Sequence, residues 1–181
     1  MQRPFRIGDA IYLRAIERED APPIAAWFND PEVTRYTTRY RPLSLAEEVK
    51  YIESMDGKPE HVMFAIVERA SDTFVGVCGL HGIDSRNRRA ELGLAIGEKS
   101  HWSRGIGAEA TQLLVRYAFE SLNLHRVYLT VFVANERAHK LYQRLGFKDE
   151  GVLRDDAFVD GKYHDIARMG MLEHEWRALN P

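Results

Sequence analysis

The stretch HWSRGIGAEA, residues 101–110, sets Gly105 and Gly107 directly ahead of a run of helical character, and how those glycines are read decides the fold. As letters, Gly105-x-Gly107-x-x-Ala110 fits the dinucleotide fingerprint G-x-G-x-x-G/A. That fold needs its glycine turn inside a βαβ unit, an acidic residue closing the next strand, and further βαβ units to build a crevice. Here Asn135 stands at the end of the next strand, two helices and several antiparallel strands come before the glycines, and only one more helix and a hairpin follow the strand–helix–strand unit that holds them. The dinucleotide reading is set aside, but its physics survives. A glycine loop opening a helix presents unbonded backbone N–H groups and the positive end of the helix dipole, which suits any pyrophosphate.

Working outward, 181 residues with 45% apolar content are enough for one domain around one core. The 25 Lys and Arg against 27 Asp and Glu leave a formal charge of -2, which offers no global attraction to nucleic acid or an anionic membrane. A small or locally charged partner is expected instead. Cys78 is the single cysteine, so neither disulfides nor a cysteine-based zinc site organises the chain. The opening MQRPFRIGDAIYLRAIERED has no long apolar run, so neither a signal peptide nor a membrane span is expected. Together these features predict a cytoplasmic protein.

Residues 10–16, AIYLRAI, read as a strand, and Asp20 is expected to cap a helix with Pro22 and Pro23 in its first turn. Ser44-x-x-Glu47 is a capping box for a second helix on which Leu45, Val49 and Ile52 recur. Between them runs EVTRYTTRYRP, a long linker rich in Tyr and Arg. VMFAIVER and FVGVCGLHGI predict an antiparallel hairpin, followed by the strand AELGLAIGE. Residues 105–120 carry Ile106, Ala110, Leu113, Leu114 and Tyr117 at helical spacing. RVYLTVFVA is the next strand, Asn135 can cap a helix ended by Gly146, and Asp160-Gly161 joins two closing strands, VLRDDAFV and YHDIARMGML. The pattern predicts a single α/β (α+β) domain over residues 1–181.

Coenzyme A is a second carrier with a pyrophosphate. ELGLAIGEKSHWSRGIGAEA, then HRVYLTVFVANERAHKLYQRLGF, then EGVLRDDAFVDGKYHDIARM resemble, in that order, the GNAT superfamily of N-acetyltransferases in its RimJ/RimL-like and spermidine-acetyltransferase-like branch. The segment from Asn135 to Phe147, N-x-x-A-x-x-L-Y-x-x-L-G-F, is its most specific part; Trp102 stands where the superfamily's loop usually has Gln or Arg. The resemblance implies a mixed, mostly antiparallel sheet in which strands at 91–97 and 126–134 run parallel and splay apart. It implies acetyl-CoA as cofactor, its pantetheine arm beside Leu94, Ala95 and Ile96 and near Asn135 and Ala138. Its pyrophosphate would then lie on Trp102, Ser103, Arg104, Gly105, Ile106, Gly107 and Ala108.

Acetyl transfer to an amine needs a deprotonated nitrogen, a stabilised oxyanion and a proton for the leaving thiolate. Tyr142, on the apolar face with Ala138, Leu141 and Leu145, reads as a core tyrosine by spacing alone and as the proton donor by the resemblance. Glu91, opening its strand, is the candidate general base, with a solvated strand end as the alternative. Tyr36, Tyr40 and Glu32 are candidate substrate contacts. No metal-binding spacing and no Gly-x-Ser-x-Gly elbow occur. The expected activity is transfer of acetyl from acetyl-CoA to a primary amine, on a polyamine, a protein N-terminus or another small molecule, by direct attack. A non-catalytic acyl-CoA-binding regulatory module is the alternative, and homodimers are usual among such proteins.

Overall fold

A computed structural model describes residues 3–55 and 57–181. Eight strands form one sheet in the order β1-β2-β3-β4-β5-β6-β8-β7. They are β1 (Arg6–Ile7), β2 (Ile11–Ala15), β3 (Val62–Glu68), β4 (Thr73–Asp84), β5 (Arg89–Ile96), β6 (Arg126–Phe132), β7 (Lys148–Val159) and β8 (Lys162–Leu172). Every neighbouring pair is antiparallel except β5 and β6, which run parallel. The crossover between those two is the helix that follows the glycine loop, as a parallel connection requires.

The helices are α1 (Ala21–Phe28), α2 (Pro31–Thr34), α3 (Leu45–Ser54), α4 (Ile106–Arg116), α5 (Glu136–Arg144) and α6 (Glu173–Leu179). Helix α4 ends in a widened π-helical turn, Tyr117–Ser121. Its Ile106, Ala110, Leu113 and Leu114 are buried against Leu80, Ala90, Leu92, Val127 and Leu129 of the sheet, and this is the main core. Period-2 alternation on β5 then sends Glu91, Gly93 and Ala95 to the opposite face.

Local signals act as expected at Ser44, whose hydroxyl accepts from the Glu47 N–H while Glu47 bonds back to the Ser44 N–H, and at the closing hairpin, where Asp160 and Gly161 take φ of 50° and 76°. Asp20 departs from its expected role. Its side chain makes no cap hydrogen bond to α1; it receives both guanidinium nitrogens of Arg14, at 2.6 and 2.7 Å, and the Glu17 N–H. A buried arginine outcompetes a helix end for the carboxylate, because an unpaired buried charge costs more than a missing cap. The long linker contains the short α2, capped by Asp30 and opened by Pro31. Strand β7 begins at Lys148, earlier than its apolar run suggests, because it pairs with β8 from there onward. Helix α6 carries no strong pattern in the sequence and forms where Trp176 packs against Phe119.

Candidate active site

Strands β5 and β6 are paired only at Arg89, Ala90 and Glu91, opposite Arg126, Val127 and Tyr128. Beyond Glu91 they part, and the gap is a cleft of about 630 Å³. Leu94, Ala95 and Ile96 form one wall, Thr130, Val131 and Phe132 the other; the glycine loop and α5 close its sides. Backbone groups along both strand ends are therefore left without a sheet partner on the cleft side, where an amide-bearing ligand can pair with them.

The loop before α4 is held open by positive φ at Ser103 (66°) and Gly105 (83°). Its donors divide into two sets. The Trp102 N–H bonds to the Lys99 carbonyl and the Ala108 N–H to the Gly105 carbonyl, whereas the N–H groups of Ser103, Arg104, Gly105, Ile106 and Gly107 have no partner among the described residues. A Cβ on Gly105 would meet nothing within 4 Å, and one on Gly107 only Leu94 at 3.6 Å, so both glycines face open space. A concavity of free donors at a helix N-terminus fits a pyrophosphate. Of the residues expected here, Arg104 turns away to Glu68 at 2.8 Å, and neither it nor Ala108 lines the cleft. The Trp102 indole donates to the Ile96 carbonyl at 2.8 Å, which occupies one of the acceptors expected for the pantetheine arm.

Helix α5 starts at Asn135, whose side-chain oxygen accepts from the Ala138 N–H at 3.2 Å. The cap fixes the first turn, and one face then points Ala138, Leu141 and Tyr142 into the cleft. Tyr142 is 9% exposed and packs edge-on against Phe147. Burial alone pushes its phenol up to about 12, so the group is a protonated donor throughout the neutral range. Sequence reasoning had no signal for Phe132 or Arg137, which also line the cleft.

Glu91 does not line the cleft. It lies on the far face, at the last paired position before the splay, and accepts from the Thr130 hydroxyl at 3.1 Å. Its cross-strand neighbour is His81, whose imidazole is held below its ordinary value first by burial and then by His61. Tyr36 and Glu32 reach the cleft, whereas Tyr40 is 80% exposed and borders a separate depression. Tyr36 is seated against Phe132 at a ring distance of 6.2 Å, so the linker closes over the end of β6. Asp30 and Glu32 are both engaged by Lys99, at 2.8 and 2.9 Å, which holds Asp30 low and Lys99 high. No group of metal-ligating side chains and no helix long and apolar enough to cross a membrane occurs among the described residues.

A splayed parallel pair, a glycine-loop anion cradle and a buried phenol between them define an acyl-CoA-dependent transferase. Residues 10–148 match the family described as the acetyltransferase (GNAT) domain, and the chain belongs to that family. It is 34% identical over 171 residues to an uncharacterized N-acetyltransferase, p20, of Bacillus licheniformis, covering 93% of this chain and 96% of the relative. It is 28% identical over 184 residues to a putative ribosomal N-acetyltransferase, YdaF, of Bacillus subtilis, covering 96% and 97%. The crystal structure of spermidine N-acetyltransferase from Vibrio cholerae in complex with CoA and spermine superposes with a TM-score of 0.89 at 28% identity, covering 94% of this chain and 99% of that one. The chain is accordingly an acetyl-CoA-dependent N-acetyltransferase acting on an amine, and the reading as a binding module without activity is not favoured.

Proposed function

We propose that the enzyme acetylates a primary amine by direct attack, with Tyr142 as the proton donor to the leaving group. The observation that carries this is the position of the Tyr142 side chain: at the cleft, without a hydrogen-bond partner among the described residues, and with its protonated range extended upward by burial. When bound, acetyl-CoA supplies an acetyl thioester to which an amine nitrogen adds. Ser103, Arg104, Gly105, Ile106 and Gly107 would hold its pyrophosphate through backbone N–H groups, and the free edges at Leu94, Ala95 and Ile96, with Asn135 and Ala138, would line its arm. The acceptor comes from the linker side, beside Tyr36 and Glu32. Its proton leaves toward Glu91 through water, since the carboxylate lies behind the splay and is oriented by Thr130.

Direct attack is supported by Cys78, the single cysteine, which is buried in the core with its thiol pushed far up by desolvation. Such a thiol is inert as a nucleophile. Both a small amine and a protein N-terminus are compatible with the relatives, one described as a spermidine enzyme and one as a putative ribosomal enzyme.

The test is thiol release from acetyl-CoA across polyamines, N-terminal peptides, amino-sugars and aminoglycosides, with CoA binding followed by calorimetry. Tyr142→Phe is expected to lower kcat about a hundredfold while leaving CoA affinity within about twofold. Equal turnover by the variant would remove Tyr142 from the chemistry.

A further inference from the structure

The acceptor side of the cleft is cationic, although the chain as a whole is slightly acidic. Arg35 lines the cleft next to Tyr36, and Arg39 and Arg41 line an adjoining depression of about 410 Å³ that shares Thr37 with it. Each guanidinium lies over an aromatic ring: Arg35 over Tyr36 at 5.4 Å, Arg39 over Phe28 at 5.3 Å, Arg41 over Tyr40 at 5.2 Å. None of the three forms an ion pair among the described residues. Stacking fixes the planar forks without using their hydrogen-bond donors, which leaves them arranged for a carboxylate or phosphate.

Four carboxylates that could attract a polycation are engaged elsewhere. Lys99 bridges Asp30 and Glu32, His139 and Gln143 hold Asp149, and Arg126 clamps Glu150 through both oxygens at 2.6 Å. The fields of Glu47 and Glu48 both reach Arg39; Glu47 spends an oxygen on the Ser44 cap, and Glu48 is buried in α3 and held toward its neutral form. A polyamine approaching this loop meets three guanidiniums with no ion-pair partner among the described residues, and like charges repel at short range.

From the ring-stacked, unpaired guanidiniums of Arg35 and Arg39 beside the cleft, we infer that the acceptor is an amine that also carries a carboxylate or a phosphate. This rests on the reading of the linker side as the acceptor side. The anion docks on the two guanidiniums while the amine reaches past Tyr36 toward the splay.

The test compares kcat/KM within matched pairs: glucosamine 6-phosphate against glucosamine, and an amide-capped Ser-Asp-Asp peptide against Ser-Lys-Lys, with spermidine alongside. The anionic member of at least one pair is expected to be favoured about tenfold or more at low salt, with the gap shrinking at about 0.5 M NaCl. Which pair responds distinguishes a phosphorylated small molecule from an acidic N-terminus. Arg39→Glu and the double variant with Arg35→Glu should erase or invert the preference, and Arg39→Lys should keep part of it; CoA calorimetry checks that each variant is folded. Spermidine turned over as efficiently as either anionic amine, or a preference unmoved by charge reversal, overturns the inference. Turnover of no amine at all, with CoA still bound, overturns instead the acceptor reading on which it rests.

Discussion

The Trp102 indole donates to the Ile96 carbonyl at 2.8 Å, which ties the anion cradle to the free end of β5. The two parts of the cleft that must grip different ends of one long ligand are thereby held in register by a single side chain. Trp102→Phe keeps the ring and removes the donor, leaving a half-buried carbonyl without its partner. A loss of about 1 kcal/mol, or roughly fivefold in CoA affinity, is expected by calorimetry. Unchanged affinity would show that the loop holds its position without the indole.

Tyr142 sets a pH expectation. Its phenol is raised from 10.0 to about 12, so the folded state keeps a proton that the unfolded chain has begun to release. Catalysis limited by this donor should show no alkaline decline from Tyr142 up to about pH 10 in a kcat profile. The linked stability contribution is complete below pH 10 and is lost as pH rises through about 12. A kcat decline centred near pH 9 that disappears in Tyr142→Phe would contradict this placement.

Glu48 is 4% exposed, and burial raises its carboxyl while Arg39 opposes the shift. For a raised acid the stabilising contribution is present below the unfolded value of about 4.5 and is lost as pH rises through the folded one. Glu48→Gln removes that loss. At pH 7 its Tm should exceed the parent's by about 2 °C, corresponding to somewhat less than 1 kcal/mol in a domain of this size. The gap should close below about pH 4. A lower Tm at pH 7 would mean that Arg39 outweighs burial.

Arg14 and Asp20 are buried together, each side chain 8% exposed, with two hydrogen bonds between them. Asp20→Ala strands a guanidinium in the core and should destabilise by about 3–5 kcal/mol in urea unfolding. Joint replacement by Arg14→Met and Asp20→Leu should recover most of that, because two apolar groups of similar volume need no partner. A single-variant loss below about 1 kcal/mol would show that water reaches the guanidinium.

The amino-acid sequence by itself determined most of the elements, though not α2 or α6. Alternation in VMFAIVER and FVGVCGLHGI, the Ser44–Glu47 box, the Asp160–Gly161 turn and the glycines before Ile106 are local signals read within a few residues. With the segment from Asn135 to Phe147 they sufficed to place the family, its acetyl-CoA and its parallel pair. What only the tertiary structure decided is which groups already have partners. Lys99 reaching Asp30 and Glu32 joins residues distant in the chain, Glu91 falling on the far face depends on strand facing at the splay, and Arg14 taking Asp20 from α1 and Trp102 capping Ile96 link residues six apart that lie in different elements. Whether a charge or a donor is free for a ligand depends on such pairing between elements, which is settled only when the elements pack against one another.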